Sequence, residues 1–577
     1  MSLVDKKDVA RIVKLDKIGM TALAKPIMDI LRLSDVNKAY DKFAELHGVE
    51  FIDAILKEFH AEFDYFEDEL RRIPKEGPFI TISNHPLGAL DGIILIKLVS
   101  QVRPDFKVMG NFLLEKVEPL KDMFFYVNPF DNKEYFNSYT GVKDSLHYIE
   151  KQHPLGIFPA GQVSTYQFDE GKISDRPWTE SSMKTIKKAQ VPVIPIYFEA
   201  RNTNLFYLLS MLHSSLRTAK LPSELLKQKN KTIRIRIGKQ ISVKEQNGYE
   251  TIEHYTAFLR QRTYLLKEAL SPGKRLFSLR RPEKQEPIID PVNPELILNE
   301  IKKLRKGKGF LFDEKHYSLF VARSETIPNV LEEIGRLREI TFREVGEGSN
   351  KPIDLDVYDY HYQHLILWDK DTEKLVGAYR LGIGSEIYRK YGIKGFYVST
   401  LFRLSTEVHS MFSQSLEMGR AFIVKEQQQK PMPLFLLWKG IVQVIKRHPE
   451  LKYITGCASI SNTFSKFSKS LTVNYLVKNF GDEQLAQWVV PRKPFKSKLD
   501  EEYLNILEES TAEDLQKIDR LIGDVEPGDQ RIPVLIKKYL KQNAKIVCFN
   551  VDPLFNDSLD GFMYIRIDDL PEETLNG

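Results

Sequence analysis

The feature that most constrains this chain is a repeated switch between short apolar runs and helical spacing across its first half. The run Phe79 to Ile82 reads as a strand, Ser83-Asn84 breaks it, and Gly88 to Leu98 reads as a helix. Further strand candidates follow at Phe106 to Met109, Leu155 to Phe158, Val193 to Ala200 and Ile233 to Ile237, with helical stretches between them. Strands that alternate with helices predict an α/β layered core around a mainly parallel sheet.

The first strand-to-helix turn, Ser83-Asn84-His85-Pro86-Leu87-Gly88-Ala89-Leu90-Asp91, holds a histidine and a carboxylate that such a turn can bring together. An imidazole held by a carboxylate is a tuned general base for a hydroxyl. A histidine that merely flanks a helix N-terminus accounts for the same residues. Two later blocks accompany the turn: Gly156-Ile157-Phe158-Pro159-Ala160-Gly161-Gln162-Val163-Ser164, then Val191-Pro192-Val193-Ile194-Pro195-Ile196. In this order the three blocks, spanning roughly residues 70 to 245, resemble the lysophosphatidate acyltransferase superfamily. The resemblance implies that His85 and Asp91 activate an acceptor hydroxyl, with Asn84, Gly161 and Ser164 as supporting, substrate-binding positions. Two departures stand out. Five residues separate His85 from Asp91 where the family leaves four, with Gly88 placed to absorb the extra one, and Ala160, Gln162 and Val163 stand where Glu, Thr and Arg are usual. Loss of that Glu and Arg speaks against a glycerol phosphate acceptor bound in the ordinary way and for a different lyso-lipid head group.

At 577 residues two or three domains are expected, and 42% hydrophobic with 28% charged residues is a globular composition. A net charge of +5 argues against a nucleic-acid partner, although Lys227 to Arg236, Arg280-Arg281 and Lys302 to Lys308 are local basic clusters. Only Cys457 and Cys548 occur, which predicts a reducing compartment and no disulfide framework. Asp5, Lys6, Lys7 and Asp8 give no secretory signal, and no window nears eighteen uninterrupted apolar residues. A cytoplasmic protein, peripheral on the inner face of the membrane, is expected. Residues 1–72 read as helical, including Ile18 to Leu33 and Phe43 to Phe66. The stretch Met20 to Leu33 suits either a bilayer surface or the adjacent domain. Leu205 to Leu212 is a dense apolar run that suits a lipid-facing element, an acyl groove or a buried helix.

Proline and charge without periodicity mark residues 271–294 as a linker, and a second unit is expected from 295 to 577. Its polar blocks are Arg338 to Phe342, Asp356-Val357-Tyr358-Asp359, Val376-Gly377-Ala378-Tyr379-Arg380 and Glu417-Met418-Gly419-Arg420. Together they resemble the acyl-homoserine-lactone-synthase branch of the GNAT acyltransferases, most closely the ornithine-lipid N-acyltransferases. The resemblance places Arg338, Phe342, Asp356, Asp359, Arg380, Glu417 and Arg420 in or around a site. It implies transfer of a 3-hydroxyacyl chain from acyl carrier protein, or from coenzyme A, to the α-amine of an amino acid. Glu417 would serve as base, Asp356 and Asp359 would hold the ammonium, and Arg380 or Arg420 would pair with the carboxylate. Read as residues alone, Glu417 and Arg420 within one strand also suit an ordinary ion pair. Lys439, Lys446 and Arg447 are candidates for meeting an acidic carrier surface. His361 and His364 lack a ligand set, so neither metal nor bound cofactor is expected.

The expected fold is therefore α/β in two domains: a glycerolipid-acyltransferase-like core (73–270) behind leading helices (1–72), then a GNAT-like mixed α/β domain. The function implied is bifunctional. The second domain N-acylates glycine or ornithine, and the first esterifies the resulting hydroxyl, with lyso-lipids and a membrane surface as partners. The alternatives are a phospholipid-remodelling O-acyltransferase with an accessory carrier-binding domain, and a haemolysin-like membrane-surface binder.

Overall fold

The computed structural model describes residues 24–30, 33–127, 138–168, 171–212, 214–227, 231–270, 285–500, 503–504, 507–508 and 510–576. Parts of Met20 to Leu33, of the linker at 271–294 and of the Lys227 to Arg236 cluster, together with Arg280-Arg281, lie outside these residues. The chain divides into two units, Met1–Leu270 with Pro527–Asp529, and Ser271–Glu526 with Gln530–Gly577.

The first unit is built on strands β1 (Glu62–Tyr65), β2 (Ile80–Ser83), β3 (Lys107–Asn111), β4 (Phe124–Val127), β5 (Leu155–Ile157), β6 (Thr165–Gln167), β7 (Lys172–Ser174), β8 (Val193–Glu199) and β9 (Thr232–Ile237). Seven of them form one sheet in the order β1-β9-β8-β2-β5-β3-β4, parallel except between β8 and β9, while β6 and β7 make a separate hairpin. β2 lies at the centre and every residue of it is buried, Thr81 and Ser83 as well as Ile80 and Ile82, while its neighbour β8 shows the near-continuous apolar run, Val193 to Phe198, that burial on both faces favours. Because β2, β5 and β8 run parallel, the segments leaving their carboxyl ends emerge at one edge, where open α/β sheets place ligands.

The leading segment departs from the helical reading. Residues 62–65 are an extended edge strand paired in register with β9, Glu62 opposite Thr232 and Tyr65 opposite Ile235. Tertiary pairing overrides local periodicity there, and a buried ion pair fixes it: Glu69 Oε1 accepts from Arg236 Nε (2.9 Å) and Nη2 (2.7 Å), and Oε2 from the Ile237 N–H (2.8 Å).

The second unit holds β10 (Phe310–Glu314), β11 (Tyr317–Arg323), β12 (Gln363–Asp369), β13 (Lys374–Ile383), β14 (Phe402–Leu404), β15 (Ser415–Ile423), β16 (Tyr453–Ile460), β17 (Val489–Pro491), β18 (Lys545–Asp552) and β19 (Ser558–Arg566). Eight form a sheet ordered β10-β11-β12-β13-β15-β16-β19-β18, and β14 pairs with β17. Every neighbouring pair in the large sheet is antiparallel except β15 and β16. That parallel pairing covers only Ser415 to Met418 against Tyr453 to Gly456. Beyond it the two strands continue without pairing to Ile423 and Ile460, and the sheet opens between them. Helices Pro328–Glu344 and Pro431–Arg447 bury apolar faces, including Val330, Ile334, Leu436 and Ile441. The reading of the latter helix as a carrier-facing basic surface meets a different arrangement. Lys439 pairs with Glu314 (2.9 Å), Lys446 donates to the Leu575 carbonyl, and Arg447 donates to the carbonyls of Lys308 and Phe310.

Candidate active sites

In the first unit, the turn after β2 sits at the edge where the carboxyl ends of β2, β5 and β8 gather. Gly88 takes φ +80°, a conformation open to glycine, and a Cβ there would lie 2.7 Å from Leu221. That turn folds Asp91, the third residue of helix Ala89–Ser100, back under His85. Asp91 Oδ2 lies 3.1 Å from His85 Nδ1 and also accepts the N–H groups of Leu87 (2.7 Å) and Gly88 (3.0 Å). An oxygen already accepting two backbone donors requires the proton of that contact on Nδ1, which leaves Nε2 with the lone pair of a base. Asp91 is fully buried while the His85 side chain is 18% exposed, so the dyad is open on the imidazole side alone. Burial pushes the Asp91 carboxyl up, partly offset by His85 and the two backbone donors. The Phe158 ring packs 4.3 Å from the imidazole.

The supporting positions prove to be scaffolding. Asn84 is buried and clasps Phe198, donating to its carbonyl (3.0 Å) and accepting its N–H (2.8 Å), which ties the turn to β8. Ser164 donates its N–H to the His85 carbonyl (2.8 Å) and its hydroxyl to Asp175 (2.6 Å). Gly161, at φ +64°, closes a tight turn onto the Phe158 carbonyl.

Sequence reasoning missed Asp175, which joins these pieces by accepting from the His85 N–H (3.1 Å), the Ser164 hydroxyl and the Trp178 indole (3.1 Å). No spacing rule marks a lone aspartate between a hairpin and a helix. Arg217 was missed as well. It is buried, donates Nη2 to Gln162 (2.8 Å), and its Nη1 has no hydrogen-bond partner among the described residues. Burial, then nearby Arg176, work against its charge. A buried guanidinium with an open donor beside the Phe-Pro-x-Gly block is a ready partner for an acceptor anion.

In the second unit, the predicted charged residues converge as a network. Arg338 donates Nε to Asp354 (2.6 Å) and grips both oxygens of Asp359 (3.1 and 3.0 Å). Arg380 bridges Asp356 (2.7 Å) and Asp359 (3.2 Å), with Tyr358, Tyr362 and Tyr397 around its guanidinium. Burial works to raise the Asp359 carboxyl, but Arg338 and Arg380 hold it far below the usual carboxylate range. With both oxygens taken, Asp359 is a structural counter-ion and has no place left for an incoming ammonium. Asp356 is likewise engaged by Arg380 and by the Tyr358 N–H (2.8 Å).

Glu417 is buried on β15, and each of its oxygens is engaged. Oε2 accepts from the Tyr362 hydroxyl and the Tyr397 N–H, and Oε1 from the Val398 N–H (2.8 Å). Burial raises its carboxyl against those donors. The geometry makes Glu417 the anchor of the Tyr397-Val398 turn.

Where β15 and β16 part, a cavity of about 110 Å³ opens, lined by Phe342, Arg380, Glu417 and Arg420 among the expected residues. Arg420 stands at φ +52° beside a bulge in the β13–β15 ladder and lies 4.0 Å from the Phe555 ring. The buried Nε atoms of Arg380 and Arg420 have no partner among the described residues. The cavity is also lined by Glu347, Asp552 and Asp560, which the motif reading did not reach: Glu347 lies just past the Arg338 to Phe342 block, and the two aspartates lie more than 130 positions beyond Arg420.

Comparison with known proteins agrees with this division. Residues 17–273 match the family described as Acyltransferase, and residues 337–438 that described as Acetyltransferase (GNAT) domain. A Glycine N(alpha)-acyltransferase of Bacteroides thetaiotaomicron is 26% identical over 302 residues, 50% of this chain and 88% of that protein. A Lyso-glycine lipid O-acyltransferase of Phocaeicola vulgatus is 25% identical over 230 residues, 38% of this chain and 78% of that protein. The crystal structure of the 1-acyl-sn-glycerophosphate (LPA) acyltransferase PlsC from Thermotoga maritima aligns at 14% identity and a TM-score of 0.25, covering 39% of this chain and 75% of that one. The chain carries an N-terminal acyltransferase domain and a C-terminal GNAT domain, and it is an enzyme of the acyltransferase type.

Proposed function

We propose that this acyltransferase builds a diacylated amino-acid lipid in two steps. The C-terminal unit moves a 3-hydroxyacyl group from a thioester donor, acyl carrier protein in preference to coenzyme A, onto the α-amine of an amino acid, with glycine favoured. The N-terminal unit then esterifies the 3-hydroxyl with a second acyl chain. The observation that carries this reading is the presence of two distinct candidate sites on one chain, whose relatives are named for two consecutive steps.

In the second step His85 Nε2 takes the proton of the acceptor hydroxyl as its oxygen attacks the thioester carbonyl, Asp91 stabilises the imidazolium, and the C–S bond breaks with its electron pair leaving on sulfur, which receives the proton back from the imidazolium as the free thiol. An N-acylated amino acid presents a carboxylate, not a phosphate, and the open Nη1 of Arg217 supports its capture in a site that lacks the usual phosphate residues. Helix Asn204–Leu212 buries Phe206 and Tyr207 but exposes Leu205, Leu208 and Met211, and Phe168 in the same unit is also exposed. Such apolar surface favours work at a membrane face, and among the described residues no helix is long and apolar enough to cross a membrane.

Expression in a host without aminolipids, followed by lipid mass spectrometry, tests the reading. The unaltered chain is expected to yield a diacylated amino acid, His85→Ala the mono-acylated intermediate, and Arg380→Lys neither, since lysine lacks the planar guanidinium held among Tyr358, Tyr362 and Tyr397 and the open Nε donor it carries. Absence of any acylated amino acid from the unaltered chain, with carrier protein supplied, refutes the proposal and leaves phospholipid remodelling by the first unit.

A further inference from the structure

We propose that Asp560 is the general base that deprotonates the amine in the cavity of the second unit. The inference rests on the N-acyltransferase reading of that unit and adds the residue which the motif comparison does not supply.

Elimination among the carboxylates leads to it. Asp356 and Asp359 are bound by arginines, and Glu417 is saturated by Tyr362 and two backbone donors. Of the other acids lining the cavity, Glu347 accepts the Ser459 hydroxyl (2.8 Å) and Asp552 accepts the Leu554 N–H (2.9 Å). The Asp560 carboxylate has no hydrogen bond or ion pair among the described residues. It projects from β19, opposite Ser459 of β16 and Asn550 of β18, into the stretch where β16 has lost β15 as a neighbour. A second observation points to a ligand in this space: the unpartnered, buried Nε atoms of Arg380 and Arg420 belong to side chains that line the same cavity. An amino acid offers the complement of both, an ammonium for Asp560 and a carboxylate for the open guanidinium donors.

The surroundings tune the group for the task. Burial pushes the Asp560 carboxyl up to about 8, reinforced by Asp552 from β18 and Glu347 from the turn after helix Pro328–Glu344, and opposed by Arg420 from β15. Cys457 of β16 also faces it, and burial holds that thiol protonated. A base poised near the working pH takes a proton from an ammonium and gives it up again readily.

In the step itself, the Asp560 carboxylate takes one proton from the ammonium, freeing the nitrogen lone pair. The nitrogen attacks the thioester carbonyl, the C–N bond forms, and the C–S bond breaks with its electron pair leaving on sulfur. The second nitrogen proton passes to that thiolate, giving the free thiol, and Asp560 returns its own proton to solvent. One amide, one thiol and one proton result from one ammonium and one thioester.

The test measures thiol release by the purified full chain with saturating glycine and a 3-hydroxyacyl thioester, across about pH 6 to 9. The unaltered enzyme is expected to show kcat rising with pH through a midpoint near 8. Asp560→Asn should lose about 100-fold or more in kcat together with that rise, while Asp560→Glu restores part of the rate. An Asp560→Asn protein that melts like the unaltered chain and keeps both rate and profile overturns the proposal. Should that variant fail to fold, the unaltered profile decides, because a kcat flat across the range overturns it equally. If the unaltered chain releases no thiol with any amino acid, the N-acyltransferase reading itself falls and Asp560's role with it.

Discussion

Replacing Asp91 by Asn separates the charge of the dyad from its shape. The Asn oxygen can occupy the place of Oδ2 and accept the same three donors, from His85, Leu87 and Gly88, so the turn keeps its geometry. What is lost is the negative charge beside the imidazolium that forms when His85 takes the acceptor's proton. Two unit charges about 4 Å apart near a protein surface interact by about 4 kcal/mol, so O-acylation should fall by about 1,000-fold. Stability should move little, because two terms oppose. The Asn amide nitrogen takes the place of Oδ1, which is buried with no partner, at a cost of about 1–3 kcal/mol. Against this, the Asp91 pKa is raised on folding. A carboxyl raised in the folded state stabilises below its unfolded pKa and loses that contribution as pH climbs through the folded value, so at neutral pH the substitution removes a buried charge that was not helping. The assay is transfer of acyl chain from thioester to a 3-hydroxyacyl amino acid, with His85→Ala and a thermal melt alongside. An Asp91→Asn protein within about tenfold of the unaltered rate, while His85→Ala is inactive, would refute charge stabilisation as the dyad's function.

Two further outcomes follow from the geometry. Glu69→Ala withdraws the carboxylate that buried Arg236 and the Ile237 N–H share, and should lower the unfolding free energy of the first unit by about 3–5 kcal/mol in denaturant titration; a change below about 1 kcal/mol would mean the pair contributes little to holding β1. Arg217→Gln should raise KM for a carboxylate-bearing acceptor about tenfold with kcat nearly unchanged, and should leave KM for the methyl ester of that acceptor where it was; equal effects on acid and ester would exclude a carboxylate contact.

Much was legible from the chain alone wherever function is local. His85 and Asp91 lie six positions apart, so one strand-to-helix turn both announces and assembles them, and Gly88 marks where the backbone must take its left-handed bend. The parallel sheet was legible for a similar reason, since a strand buried on both faces, such as β8, carries a near-unbroken apolar run. The edge strand β1 was not, because the alternation Glu62-Phe63-Asp64-Tyr65 is only four residues long, too short to stand against the helical spacing before it, and its partner β9 lies some 170 positions later.

The second unit divides along the same line. Its motifs state that Arg338, Asp356, Asp359, Arg380, Glu417 and Arg420 belong together, and the fold does join them. Residue type alone cannot say which charges neutralise each other and which face open space. That was decided by the fold, which packs Arg338 of helix Pro328–Glu344 and Arg380 of β13 against Asp359, closes the Tyr397-Val398 turn on Glu417, and parts β15 from β16 so that Asp560 faces the cavity. A carboxylate's chemistry is fixed by its neighbours, and in a mixed sheet those neighbours come from strands that only the completed fold brings side by side.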